Sequence, residues 1–260
     1  MRRILLFSIL IVLFFKLHAQ SNIKDLLPVS IKSEGQFEMN FEYDDENRLT
    51  FLTCTLVEEH NENSFFLWYK FVYNDNNDLI AMEIANPKEV IFVDNIIYGE
   101  RKLSLAVKDS IIATYYFDEE GKLINLQQFR KDYTSLIDFE YDMINHLEMR
   151  KESHIIKAGK DEEFIINNDI KFQYEDDSRS ILWSANYPRW FIMGLEYLNF
   201  LDCPKSIEQA VSYDFDEEGK KIVNTSLTYT KNEWGYPVLI SFIEDDNEVK
   251  EIEIVYKEVN

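Results

Sequence analysis

Residues 41–49 read FEYDDENRL, and this nine-residue pattern decides the fold because the chain repeats it. Two aromatic residues separated by one residue are followed by an acid or amide, further polar residues, an Asn or Gly, a basic or polar residue and Leu. The clearest further copies are FVYNDNNDL at 71–79, YYFDEEGKL at 115–123 and FEYDMINHL at 139–147. Looser copies begin at Phe172, Tyr213 and Ser241, and an eighth, LTYTKNEWGYPVL at 227–239, is interpreted as carrying a longer insert.

Each copy predicts the tip of a β-hairpin, because alternating aromatic residues run into a short polar loop and hydrophobic alternation resumes beyond it. A type I turn followed by a left-handed residue requires φ > 0 at one loop position, which Gly and Asn tolerate at least cost. The acid that opens the loop can accept hydrogen bonds from loop N–H groups, as predicted for Asp44, Asp118, Asp142 and Asp216. Six of the seven copies of standard length place Asn or Gly at the left-handed position, namely Asn47, Asn77, Gly121, Asn145, Gly219 and Asn247.

The repeats predict an all-β fold, a long antiparallel meander of roughly sixteen strands. A sheet of that length is expected to be curled or barrel-like, because long twisted sheets curl or close. Asp94-Asn95 lies between two apolar runs and is a candidate tight turn of an additional hairpin. Residues 65–73 are apolar or aromatic on both faces, which predicts a strand covered on two sides.

The first nineteen residues have the pattern of a secretory signal peptide. Arg2 and Arg3 precede an apolar run over residues 4–15, and a short polar stretch ends at Ala19. The run is too short to span a bilayer comfortably. We therefore expect residues 20–260 to form a single β-repeat domain that is secreted or periplasmic, with no integral membrane segment after cleavage. Outer-membrane association is left open.

The charge of the chain excludes some classes of partner. The net charge is −21, and removal of Arg2, Arg3 and Lys16 leaves 24 basic against 48 acidic residues, a charge of −24. A field of that sign repels phosphate backbones and anionic lipid. We therefore predict no nucleic-acid partner and no electrostatic docking on a membrane.

One segment, PRWFIMGLEYLNFL at 188–201, breaks the β pattern. It is too long and too continuously apolar for an ordinary strand, and Pro188 suits the first turn of a short helix, although Gly194 weakens the helix prediction. One interpretation is a plug that covers the sheet, since monomers seldom expose aromatic patches. The other is a binding surface for a ligand or partner, built from Trp190, Phe191, Tyr197 and Phe200.

The sequence contains no common catalytic motif. G-x-S-x-G, H-E-x-x-H, the phosphate-binding loop and C-x-x-C are all missing. No metal site or cofactor is predicted, because the acidic clusters lack EF-hand spacing and turn chemistry accounts for them. Cys54 in a strand and Cys203 before a proline could form a disulfide in an oxidising compartment, or could remain buried thiols.

The run from Pro204 to Tyr256 carries a resemblance. With Lys205-Ser206-Ile207, YDFDEEGKK at 213–221 and Gly235-Tyr236-Pro237, it resembles the C-terminal part of a secreted bacterial family of unknown function with a porin-like β fold. The repeated phrase is also similar to the YD repeats of large secreted β proteins. The resemblance implies a β fold and brings no known activity or catalytic residue.

These observations leave two main function classes. The favoured one is a non-enzymatic β-repeat scaffold, secreted or associated with the envelope, that binds an unknown protein or glycan through aromatic side chains such as Phe66 and Trp68. The alternative is a secreted hydrolase acting on glycan or peptide through unassigned carboxylates, which would need a concave pocket with paired acids. An inhibitor that uses acidic tips against a basic partner is consistent with the charge alone.

Overall fold

The computed structural model of the chain describes residues 24–57, 64–86, 88–143, 147–158, 161–174, 179–195, 207–216, 219–243 and 249–259. The predicted signal peptide, Asn145 and Asn247 lie outside these residues. The described residues form seventeen strands and one helix. The strands are β1 Leu26–Ser33, β2 Phe37–Tyr43, β3 Leu49–Val57, β4 Ser64–Tyr73, β5 Leu79–Ala85, β6 Val90–Val93, β7 Asn95–Gly99, β8 Lys102–Val107, β9 Ser110–Phe117, β10 Leu123–Phe129, β11 Tyr133–Tyr141, β12 Leu147–Ala158, β13 Asp161–Tyr174, β14 Ile207–Asp216, β15 Gly219–Lys231, β16 Pro237–Ile243 and β17 Val249–Glu258. The helix is α1, Arg189–Met193, between β13 and β14.

The strands form one antiparallel meander, which confirms the predicted fold class. From β1 to β6 and from β7 to β17, each strand pairs with the next one along the chain. β1 also pairs with β17, with Leu26 opposite Glu258 and Ile31 opposite Ile254. The sheet therefore curls until its first and last strands lie side by side.

The predicted tight turn at Asp94-Asn95 is wrong. β6 pairs with β5 and β7 pairs with β8, but no pairing joins β6 to β7 in the described part of the sheet. The two strands follow one another along the chain with Asp94 between them and pair on different sides. The carboxylate of Asp94 accepts a hydrogen bond from the Lys108 N–H at 2.9 Å, so it stabilises the β8–β9 tip.

Four described hairpin tips share one hydrogen-bond pattern. The opening Asp or Asn accepts, at its Oδ1, the N–H groups two and four residues later, at 2.9–3.1 Å. The fourth residue of the tip has a left-handed backbone, the conformation that the repeat requires. The opening residues are Asp44, Asn74, Asp118 and Asn232. The left-handed residues are Asn47 (φ +60°), Asn77 (+67°), Gly121 (+82°) and Gly235 (+84°).

The copy at 227–239 does not carry the insert that we predicted. Its tip runs from Asn232 to Tyr236 with standard length, so the first aromatic position is Tyr229 and Lys231 occupies the second. The aromatic residues of this copy suggest an insert, whereas its turn depends on Asn232 and Gly235. Gly219 lies at the start of β15, where it pairs with Asp216.

Tyrosine hydroxyls connect neighbouring hairpins. The second aromatic residue of a copy donates to the backbone carbonyl of the Leu that ends the preceding copy, as Tyr73 does to Leu49 at 3.0 Å and Tyr141 to Leu123 at 2.7 Å. The basic residue before that Leu lies over the same ring, with Arg48 Cζ 5.2 Å from the Tyr73 centroid. The aromatic, basic and Leu positions of the repeat therefore join neighbouring hairpins at these two places.

The core lies on the inner face of the curled sheet. It contains Leu52 and Cys54 from β3, Met82 from β5 and Leu126 from β10, all fully buried. The prediction that residues 65–73 are covered on both faces is wrong. The inner face of β4 is buried through Tyr69 and Phe71, but Phe66 on the outer face is 40% exposed.

Candidate functional site

The segment from Arg179 to Leu195 crosses the inner face of the sheet at the end that carries the tips of β2–β3, β4–β5 and β9–β10. The Asn186 N–H donates to the Asn47 carbonyl at 3.1 Å, and the Asn186 carbonyl accepts the Leu49 N–H at 2.7 Å. The segment is therefore attached to the β2–β3 tip. The Tyr236 hydroxyl lies 2.6 Å from Ser184 Oγ and fixes the segment to the β15–β16 tip. These bonds place α1 inside the curl of the sheet.

Helix α1 begins at Arg189, one residue later than the predicted start at Pro188, and its apolar side chains enter the core. The Phe191 N–H donates to the Pro188 carbonyl at 2.9 Å. The Phe191 ring packs edge-on against Tyr69 and Phe71, at centroid distances of 5.4 and 5.7 Å. The described part of the predicted insert is therefore a plug between β4 and the opposite strands.

Gly194 ends the helix at a close contact with the sheet. A Cβ at this position would lie 2.8 Å from Leu126 Cδ2, inside van der Waals contact, and 3.5 Å from the Tyr115 ring. The glycine that weakened the helix prediction therefore permits the contact between α1 and β9–β10.

A cavity of about 290 Å³ opens between α1 and the β9–β10 tip. The half-buried Trp190 forms one wall and packs against Tyr115 at a centroid distance of 4.6 Å. Aromatic and apolar walls with a few polar groups are the usual composition of a ligand pocket. The lining residues are Phe117, Glu120, Gly121, Lys122, Leu123, Tyr141, Arg189, Trp190 and Met193.

The rim of this pocket, here called the Trp190 pocket, carries both signs of charge. Lys122 Nζ lies 2.6 Å from Glu120 Oε2 and 6.0 Å above the Tyr141 ring, which holds the ammonium group over the opening. Hydrogen bonds from backbone N–H groups, that of Lys122 foremost, lower the pKa of Asp118 beneath the rim. Arg189, which is exposed, supplies a second cation beside the aromatic wall.

The four aromatic residues predicted as a binding surface have different positions. Trp190 lines the pocket, Phe191 is 3% exposed and belongs to the core, and Tyr197 and Phe200 lie outside the described residues. Sequence reasoning did not single out Lys122 or Tyr141 as pocket residues. Their positions in the repeated phrase were the available signal, because each lies at a hairpin tip.

Cys54 is a free thiol buried in the core, and burial raises its pKa to about 11. Cys203 lies outside the described residues. Within the described chain no group of three or more His, Cys, Asp or Glu side chains could hold a metal ion. No helix among the described residues is long and apolar enough to cross a membrane.

A second depression, of about 300 Å³, is lined by Lys32, Glu34, Glu251 and Glu253. All four side chains are exposed, and the depression has no aromatic or aliphatic wall that would exclude water. It therefore lacks the apolar lining that distinguishes the Trp190 pocket.

No protein-family model matches the sequence, and no curated protein matches it. Among solved structures, the chain is similar to a porin-like protein from Bacteroides uniformis, with 14% identity and a TM-score of 0.49. The match covers 88% of this chain and 96% of that one. A likeness this distant carries no argument about the fold or the function of this chain.

Proposed function

We propose that the chain is a non-enzymatic β-repeat scaffold of the cell envelope or the extracellular space, and that it binds a glycan in the Trp190 pocket. The observation that carries the proposal is the half-buried Trp190 ring set beside the charged pair Lys122 and Glu120. A sugar ring has an apolar C–H face that can pack on an aromatic side chain and hydroxyl groups that can bond charged side chains.

The position of the pocket supports a role in binding. Its walls come from a hairpin tip held by the Asp118 hydrogen bonds and from a helix anchored in the core through Phe191. Groups held by rigid elements lose little freedom when a ligand binds, which reduces the entropic cost of recognition. The pocket faces the tip end of the sheet, where a ligand can enter between loops.

The hydrolase alternative finds less support in this pocket. Canonical glycoside hydrolysis requires two carboxyl groups flanking the bond that breaks. Among the described lining residues the one carboxylate is Glu120, whose side chain is 67% exposed and paired with Lys122. The described pocket can therefore hold a sugar but lacks the paired acids of a glycosidase.

The test is glycan binding by matched tryptophan variants. The purified protein is applied to arrays of immobilised oligosaccharides containing neutral hexoses, N-acetylhexosamines or uronic acids, and the best oligosaccharide is titrated by calorimetry. We expect Trp190→Ala to weaken binding by about tenfold or more, since aromatic anchors dominate such sites. Trp183→Ala is the control, because Trp183 is 53% exposed on the same segment and does not line the pocket.

A second variant separates lost folding from lost binding. Lys122→Glu reverses a charge at the rim and leaves Trp190 packed on Tyr115. We expect it to weaken binding while the circular dichroism spectrum remains that of the folded chain. Equal binding by wild type, Trp190→Ala and Lys122→Glu would overturn the proposal, as would the absence of binding to every oligosaccharide on the array.

A further inference from the structure

The outer face of β4, β6 and β7 exposes large apolar side chains. Phe66 is 40% exposed, Val90 63%, Phe92 48% and Ile97 43%, and Trp68 is half-buried between them. We refer to these five residues as the outer apolar face.

Strand register places three residues of the outer apolar face, Trp68, Val90 and Phe92, in two adjacent rows. Trp68 lies opposite Ala85, and Ala85 lies opposite Val90, so the three form one row across β4, β5 and β6. In the adjacent row, Lys70 lies opposite Glu83 and Glu83 opposite Phe92. Residues directly opposite in antiparallel strands share a face, so both rows point outward, away from the core.

The outer apolar face differs in charge from the outer face of β1, β2 and β17. Its two rows contain one Lys and one Glu, which cancel. The outer positions of β1, β2 and β17 instead carry exposed charged side chains, namely Lys32, Glu38, Glu251 and Glu253. On a chain of net charge −21, the outer apolar face is therefore a surface that another copy can approach with little like-charge repulsion.

The exposed area of the outer apolar face can be compared with that of a standard protein interface. An aromatic side chain presents about 150–250 Å², so the observed exposures give the five residues and their apolar neighbours on the order of 500 Å² of outward surface. A standard protein interface buries about 800 Å² on each partner. The face with its surrounding polar rim can supply such an area.

From these observations we infer that two copies of the chain pack through their outer apolar faces as a symmetric dimer. A two-fold interface uses the same patch on both copies, so it needs a patch that is self-complementary. This one is apolar at its centre, with one Lys and one Glu of opposite sign within it. The dimer leaves the acidic sides of both copies facing solvent and leaves the Trp190 pocket at the tip end open.

The test is the molar mass of the purified chain, measured by sedimentation velocity from about 1 to 100 µM. We expect twice the monomer mass for wild type and at least a tenfold weaker dimer for Phe92→Lys. Val255→Lys is the matched control, because Val255 is 54% exposed but lies on β17, and it should dimerise like wild type. Ile97→Lys provides a second disruption at another exposed position.

Measurements at raised salt and with lipid vesicles distinguish a second copy of the chain from lipid as the occupant of the outer apolar face. Raising the salt concentration should strengthen the dimer, since screening reduces the repulsion between two acidic chains. A monomeric wild type at 100 µM would overturn the inference, as would a dimer unaffected by both Phe92→Lys and Ile97→Lys. A monomer that floats with neutral phosphatidylcholine vesicles would assign the face to lipid and would also overturn it. None of these outcomes depends on glycan binding.

Discussion

Two regions of the inner face of the sheet are filled in different ways. Opposite β4, β9 and β10, the inner face is apolar and is covered by helix α1, with Phe191 against Tyr69 and Phe71. Between β11 and β12, the inner face instead holds charge. Arg150 is 1% exposed and its Nη2 donates to Glu152 Oε2 at 2.9 Å, while Glu152 Oε1 accepts from Ser135 Oγ at 3.0 Å.

The repeated phrase therefore specifies the tips of the strands, and other residues determine how the interior is filled. The apolar region is completed by a segment from outside the repeats, whereas the charged region must satisfy its own polar atoms. It does so incompletely, since Arg150 Nε and Nη1 have no hydrogen-bond partner among the described residues. Unpaired buried donors are costly, so we expect the two regions to respond differently to mutation and to pH.

The largest effect is expected in the apolar region. Phe191→Ala should destabilise the protein by about 3–5 kcal/mol, because it leaves a cavity between α1 and β4. Urea unfolding followed by circular dichroism measures this change. The matched control is Phe129→Ala on β10, which is 39% exposed and should cost about 1 kcal/mol or less. Equal losses in the two variants would show that α1 is not part of the core.

The charged region should be sensitive to loss of one partner and to acid. Burial alone would raise the pKa of Glu152, but the charge and hydrogen bond of Arg150, with bonds from His154 and Ser135, outweigh burial and lower it. A lowered pKa contributes stability above the unfolded value, near 4.5, which is lost as pH falls through the folded pKa. Glu152→Gln should therefore cost about 3 kcal/mol at neutral pH, because Arg150 is left buried without a counter-charge.

The pH profile distinguishes this effect from a general loss of packing. In Glu152→Gln, the free energy of unfolding should fall less steeply between pH 5 and pH 3 than in wild type. The matched control is Glu140→Gln, which removes the exposed partner of Lys151 and should cost less than about 1 kcal/mol. An unchanged acid slope in Glu152→Gln would contradict the assignment of the buried pair.

Turn chemistry should give a smaller effect. Gly121→Val should cost about 1 kcal/mol or more, since a β-branched residue is strained at φ +82°. No atom lies within 4 Å of an added Cβ, so the cost comes from the backbone and not from a clash. Asn47→Gly is the companion variant, and it should be neutral or mildly stabilising. If Gly121→Val melted at the same temperature as wild type, this tip would not require a residue that tolerates a left-handed backbone.

Local chemistry explains which parts of the fold could be predicted. The tips at Asn47, Asn77 and Gly121 depend on residues within five positions of one another, so the sequence displays them directly. The arrangement around Asp94 could not be predicted, because whether β6 and β7 pair with each other or with β5 and β8 depends on the rest of the sheet. An Asp-Asn pair between apolar runs is compatible with either arrangement.

Long-range register explains why the candidate site was predicted only in part. The position of Trp190 in an unusual apolar segment identified it as a candidate residue. Lys122 and Tyr141 join it because the β9–β10 tip meets α1, which no local pattern displays. Arg150 was not recognised as buried for the same reason. Its inward direction follows from pairing with Phe139, and β12 has no clean alternation of polar and apolar residues.

The smallest expected effect tests the hydroxyl links that join the hairpins of the apolar region. Tyr73→Phe removes the donor to the Leu49 carbonyl and keeps the ring beneath Arg48, so it should cost about 1 kcal/mol. Tyr98→Phe breaks the equivalent bond to Leu79, at 2.8 Å, but the Tyr98 side chain is 55% exposed. Water can replace its partner there, so the loss should be smaller. Chemical denaturation of both variants measures the difference, and a larger loss in Tyr98→Phe would show that burial does not set the strength of these links.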